Sequence, residues 1–189
     1  MSGIVSEIFH GRPEDISNRI DSEVATYNFL DSLCIKYDRV DHEPAMSDDV
    51  YAQMDSALVS TACKNLFLVN RQETHFYLLM MPRNKDFRTR FLKEQLGLAH
   101  LSFAKENLMV EYLGVHPGSV SIMCLLKDTE GKVELIIDKD VLSGETVRFH
   151  PCINTSSIRV STKDFIEKIL PELKHEPVYI DIPNTQFSL

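Results

Sequence analysis

Cys63-Lys64-Asn65-Leu66-Phe67-Leu68-Val69-Asn70, then Arg71-Gln72-Glu73, then Thr74-His75-Phe76-Tyr77-Leu78-Leu79-Met80-Met81 is the stretch on which the fold turns. Two apolar runs of strand length flank a short polar segment, which predicts a hairpin. Both runs are almost continuously apolar rather than alternating, so both faces of these strands are expected to be covered. Pro82 ends the second run, because proline cannot donate to a ladder.

Upstream, Val24, Tyr27, Leu30 and Leu33 fall at helical spacing, and Asp21 or Ser22 is placed to cap that helix. Lys36 to His42 reads as a short strand, and His42-Glu43-Pro44 forces an extended or turning backbone. Ser47 begins a second helix, with Asp48 and Asp49 suited to its first turn. Downstream, Asp86 to Leu96 is expected to be helical with Gly97 behind it, and Lys105 to Tyr112 forms a short helix closed by Gly114. Ser119 to Leu126 reads as a strand and Lys132 to Asp138 as its hairpin partner across an Asp128–Gly131 turn. Thr146–Phe149 and Ser156–Val160 read as short strands. Ser161 caps a last helix whose Phe165, Ile166, Ile169 and Leu170 are expected to face inward, and Pro171 ends or bends it. Val178 to Ile182 reads as an edge strand. Helices and hairpins without a βαβ repeat make an α+β pattern. The expected organisation is an arm over residues 1–21, one domain over 22–183 and a tail over 184–189.

The 189 residues are 43% hydrophobic, enough for one domain with a substantial core. A formal net charge of -8 argues against broad, sequence-blind nucleic-acid binding but leaves room for a local basic patch. Cys34, Cys63, Cys124 and Cys152 are far apart and form no CxxC pair, so buried or half-buried thiols are expected rather than a zinc knuckle or disulfide scaffold. The seven histidines show no metal-ligand spacing, so no metal is expected. No signal peptide and no apolar run of about 20 residues is evident, which makes the cytoplasm the default and a membrane role unexpected.

Phosphate-loop, dinucleotide, zinc-protease and nucleophile-elbow motifs are missing. Three places stand out instead. Lys64 enters an apolar strand, where a lysine must snorkel or meet an anion or carbonyl oxygen; the plain alternative is an edge lysine. Gly114-Val115-His116-Pro117-Gly118-Ser119-Val120-Ser121 could present backbone amides to an ester carbonyl or oxyanion, or be a tight structural loop. His150, in Phe149-His150-Pro151-Cys152-Ile153-Asn154-Thr155, could orient substrate, relay a proton or bond its own loop. Arg83, Lys85, Arg88, Arg90 and Lys93 form no single helical stripe; they read as a solvated face or as contacts for RNA phosphates.

The Lys64-Asn65-Leu66-Phe67-Leu68 run, the Pro117-Gly118-Ser119-Val120-Ser121 loop and Phe149-His150-Pro151 followed by Asn154-Thr155 occur in an order that resembles the YbaK/ProX family. These are freestanding relatives of the editing domain of bacterial prolyl-tRNA synthetases, and the likeness spans about residues 22–175. The resemblance implies a mixed β-sheet surrounded by helices and hydrolysis of misacylated tRNA, nearest to the branch acting on alanyl-tRNA carrying the proline anticodon. It implies no cofactor, tRNA(Pro) as partner, and a transient association with prolyl-tRNA synthetase. The family's essential lysine falls on Lys64, its substrate loop on Gly118 to Ser121 and its histidine on His150. Asn65 and Ser119 are their expected neighbours, and Ser121 and Ile122 the expected substrate contacts. One departure stands out. The family's GxxxP pattern reads Gly118-Ser119-Val120-Ser121-Ile122, so an isoleucine replaces the proline, restores an amide donor and alters the expected pocket wall. The chain offers no serine or cysteine nucleophile with a paired base, so a substrate ribose hydroxyl is the expected aid to the attacking water. The rival readings are a non-catalytic RNA-binding or protein-interaction module on the same fold, and a small-molecule ester or amide hydrolase.

Overall fold

The computed structural model describes residues 4–98 and 100–184. Its centre is the predicted hairpin: β3 (Thr61–Asn70) and β4 (Phe76–Pro82) pair antiparallel from Cys63↔Pro82 to Val69↔Phe76. Asn70 closes the turn, its Oδ1 accepting from the Thr74 and His75 amides at 2.8 and 3.1 Å. Every residue of β4 is buried, and its side chains alternate between two cores. Phe76, Leu78 and Met80 enter the larger core, while Tyr77, Leu79 and Met81 enter the smaller one.

The other strands are β1 (Phe9–His10), β2 (Asp38–Asp41), β5 (Leu101–Phe103), β6 (Val133–Asp138), β7 (Thr146–Phe149), β8 (Ser156–Ser161) and β9 (Val178–Ile180). The sheet runs β1-β2-β8-β7-β3-β4-β6-β9, with β5 pairing β3 off that path. The β3–β7, β4–β6 and β6–β9 pairs are parallel and the rest antiparallel, so the sheet is mixed. The segment expected to be an arm therefore contributes an edge strand, and most of the expected tail lies outside the described residues.

Helix α1 (Asp21–Ser32) buries Tyr27 and Leu30, but its N-cap is Ile20 and no side chain caps it, contrary to the expected Asp21 or Ser22. Glu23 is buried there instead, accepting from Tyr27 at 2.7 Å and from Arg19 at 2.9 Å. Helix α2 (Asp48–Ala57) starts where expected, with Ser47 Oγ accepting from the Val50 amide. Helix α3 (Thr89–Leu96) begins three residues later than the sequence predicts, and Gly97 follows it in the left-handed region. Helix α4 (Glu106–Leu108) continues as a π turn over Met109–Leu113, ended by Gly114. Helix α5 opens at Thr162–Asp164, widens to a π turn over Phe165–Ile169 and closes at Leu170–Glu172. The wider turn precedes Pro171, where the missing amide and the ring disfavour ordinary helix bonding. Phe165, Ile169 and Leu170 are buried, but Ile166 is 40% exposed and does not face inward.

The largest correction lies after Gly118. The expected strand over Ser119–Leu126 is instead a 3-10 helix over Ile122–Leu126, and its expected hairpin partner β6 runs parallel to β4. Burial on all sides explains both the apolar run and the helix: Ile122, Met123, Cys124 and Leu125 are all in the core. Cys34 is exposed, in a left-handed turn after α1, rather than buried.

Candidate active site

The site begins with an interruption in β3. Along one edge β3 is paired by β4, but along the other it is paired only at its ends, by β7 at Thr61–Ala62 and by β5 at Leu68–Asn70. Between them, Cys63 to Phe67 have no strand partner on that edge among the described residues. A cavity of about 410 Å3 opens there, and Lys64, Asn65, Gly118 and His150 all line it.

Lys64 is half-buried, and its Nζ donates to the carbonyl of Lys85 at 2.5 Å. Burial lowers its pKa from the usual lysine value; the negative Asp86 opposes that shift and Arg83 adds to it. Asn65 follows on the other face of the strand, and the cavity reaches both because it wraps the open edge. Neither Oδ1 nor Nδ2 of Asn65 has a hydrogen-bond partner among the described residues, although both atoms are buried. Each such unsatisfied group costs about 1–3 kcal/mol of stability.

Gly118 has φ +91°, where a side chain would be strained, and it ends a turn in which the Ser119 amide donates to His116 at 3.1 Å. The nearest side-chain atom to a Cβ built there is Asn154 Nδ2 at 3.7 Å, so the Gly118 loop and the His150–Asn154 loop face each other. Their bases are joined by Cys124 and Cys152, whose sulfurs are 3.4 Å apart. His150 Nδ1 is buried and unpartnered among the described residues. Burial, reinforced by the nearby His42, pushes the His150 pKa down to about 4, so the ring is neutral at pH 7. His42 is buried and lowered for the same reason; its Nδ1 meets Glu43 O at 2.8 Å and its Nε2 meets Ser157 Oγ at 3.0 Å.

Other expected site residues lie elsewhere. Ser119 is beside the cavity but does not line it. Ser121 is fully buried, and its Oγ caps the 3-10 helix by accepting from the Met123 amide. Ile122 is 0% exposed and packs in the large core, so it forms no pocket wall. Lys85 is 5% exposed and cannot reach a tRNA phosphate. Its ammonium is bonded to Asp138 at 2.8 and 3.1 Å, Asp140 at 2.7 Å and the Ile182 carbonyl at 2.7 Å. Arg83 pairs with Asp55 at 2.5 Å and stacks over Tyr51. Arg88 and Arg90 are exposed and Lys93 is half-buried.

Sequence reasoning missed Tyr51 and Arg148 in the lining and gave His42 and Asn154 no role there. Arg148 is buried; it donates to Met54 O at 2.8 Å and Leu58 O at 3.3 Å and pairs with Asp55, fixing the end of α2 against the site. An arginine inside the short apolar run Thr146–Phe149 was the available signal, since a buried guanidinium demands several acceptors.

The sequence profile of the aminoacyl-tRNA editing domain matches residues 42–168. The prolyl-tRNA editing protein ProX of Acetoanaerobium sticklandii is 30% identical over 151 residues, which is 80% of this chain and 92% of that protein. The prolyl-tRNA synthetase associated domain-containing protein 1 of Mus musculus is 28% identical over 156 residues, 80% of this chain and 91% of that protein. Among solved structures, one described as "a putative trans-editing enzyme for prolyl tRNA synthetase" superposes with a TM-score of 0.64 at 16% identity, covering 87% of this chain and 99% of that one. That last likeness carries the fold alone.

Proposed function

This chain belongs to the aminoacyl-tRNA editing domain family, and from that we propose that it hydrolyses the ester of a misacylated tRNA in trans, with alanyl-tRNA(Pro) as the substrate. One observation carries the reading of the site: Lys64, Asn65, Gly118 and His150, far apart in sequence, line one cavity at the open edge of β3.

The roles follow from the chemistry of each group. Attack of water on the ester carbonyl builds negative charge on its oxygen, and a leaving ribose oxygen must gain a proton. Lys64 supplies a fixed positive charge beside the ester, in a half-buried place where it acts more strongly than in water. The backbone around Gly118, free of a side chain, lets the ester approach closely. A neutral His150 with so low a pKa is a weak base; it orients the water or the ribose by hydrogen bonding. A substrate ribose hydroxyl assists the water. Asn65 offers its unpartnered amide to the amino acid or ribose. A confined cavity rejects bulky side chains sterically and small ones poorly, so alanine is chosen mainly by exclusion of larger residues. The reaction belongs to the cytoplasm, where tRNA is charged, and a transient contact with prolyl-tRNA synthetase would deliver the substrate. No helix among the described residues is long and apolar enough to cross a membrane.

The test is a panel of tRNAs charged with alanine, serine, cysteine, threonine and proline, incubated with purified protein. Alanyl-tRNA(Pro) is expected to lose its ester fastest. Lys64→Ala is expected to stay folded and lose about 100-fold or more in kcat, the scale of one lost charge-stabilising group. Undiminished turnover by that variant overturns the role of Lys64, and equal turnover of all five esters overturns the alanine assignment.

A further inference from the structure

We propose that the exposed ring of Phe103 is a stacking platform for the terminal nucleobase of the tRNA acceptor end; this rests on the reading of the chain as an aminoacyl-tRNA hydrolase. Phe103 lines the same cavity as Lys64, yet it is 58% exposed. Its backbone cannot retreat, because β5 pairs with β3 and the Ala104 amide donates to Phe67 O at 2.9 Å.

The register places the ring relative to the lysine. Phe103 lies directly opposite Leu68, so their side chains share one face of the sheet. Lys64 is four residues before Leu68 on β3 and therefore stands on that same face, about 13 Å along the strand. A ribose between a reacting ester at Lys64 and a base at Phe103 suits that separation. The stretch Lys85–Phe87 ties the two ends together. The Lys85 carbonyl accepts from Lys64, and the Phe87 ring packs edge-on against Phe103 at 5.9 Å and 72°. Phe87 is itself rooted in the smaller core. Exposed Arg88 follows Phe87 directly and exposed Arg90 comes two residues later, its guanidinium over the Phe91 ring at 5.1 Å, so positive charge lies close in sequence to the aromatic pair. An aromatic platform flanked by arginines is how proteins hold unpaired nucleotides: the ring takes the base and the cations take the backbone. In a chain of net charge -8, that local complementarity picks out a nucleic-acid end rather than an apolar partner.

The chain has no tryptophan, so Phe103→Trp introduces a single reporter indole. An oligonucleotide ending in CCA is expected to quench its emission saturably, and one ending in CC several-fold more weakly. Equal quenching by the two, or none, overturns the proposal. A kinetic arm compares the alanyl ester of adenosine with the alanyl ester of methyl riboside, which has no base. In Phe103→Ala the preference in kcat/KM for the adenosine ester is expected to fall about tenfold, the scale of one base-stacking contact, and Phe103→Trp to retain it. An unchanged preference in Phe103→Ala overturns the proposal. If the unsubstituted protein leaves alanyl-tRNA(Pro) intact while CCA still quenches the indole, the hydrolase reading fails and the platform stands.

Discussion

The Lys64 ammonium donates to the backbone carbonyl of Lys85 at 2.5 Å, so one lysine is positioned by the main chain of another. The Lys85 side chain points the other way, into Asp138, Asp140 and the Ile182 carbonyl. Its ion pairs raise its pKa against the cost of burial, so it stays charged.

Breaking this buried cluster is expected to be costly. Lys85→Met leaves Asp138 buried without its cation, and the loss is expected to be about 3–5 kcal/mol in urea unfolding. Asp140→Asn removes the exposed partner and is expected to cost less than about 1 kcal/mol. Equal effects from the two substitutions would contradict the assignment of Asp138 as the principal counter-ion.

Arg148 is a second structural support. Its fork binds two carbonyls at the end of α2 and the Asp55 carboxylate, a geometry an ammonium cannot copy. Arg148→Lys is expected to cost about 2 kcal/mol and to speed hydrogen exchange over residues 48–58. Exchange that rises uniformly along the chain, without a peak in α2, would argue against this local role.

Asn65 should show a trade between stability and activity. Replacing its unpartnered buried amide with Leu is expected to stabilise the fold by about 1 kcal/mol while lowering ester hydrolysis. A Leu variant that is both less stable and fully active would remove Asn65 from the site.

The His150 ring makes stability fall with acid. Its folded pKa of about 4 is below the ordinary histidine value of 6.5, so the unfolded chain takes the proton first as pH drops. Its share of stability is therefore complete above pH 6.5 and eroded as pH falls from 6.5 towards 4. The slope from this one group is at most about 1.4 kcal/mol per pH unit. Urea midpoints at pH 7, 6, 5 and 4.5 should converge for His150→Asn and the unsubstituted protein as pH falls. Parallel curves would mean the imidazole is not buried neutral. His42 is shifted the same way, so some slope remains in the variant.

What was legible in the sequence was local. The β3–β4 hairpin, the Ser47 and Ser161 caps and the glycine ends of α3 and α4 are written in neighbouring residues, and they form as read. Ile122–Leu126 misleads because a short apolar run fits a buried helix as well as a strand, and periodicity cannot separate them. Lys85 reads as a surface base because its partners Asp138, Asp140 and Ile182 come more than fifty residues later. The same holds at the site. Lys64, Gly118 and His150 can be picked out by family pattern and Arg148 by its place in an apolar run, whereas Tyr51 and Phe103 enter it only through packing and strand register.

The gap in the edge of β3 also orders events during synthesis. Its lower boundary is β7, which ends at Phe149, and His150 follows at once. A ribosome that has released only the hairpin has produced Lys64 but neither the boundary strand nor the histidine loop. Long-range closures of this kind come late in folding. A nascent chain surrounded by correctly charged tRNAs thus carries the lysine without its chamber, and the ester hydrolysis proposed for the site would arrive only once the later strands have closed it.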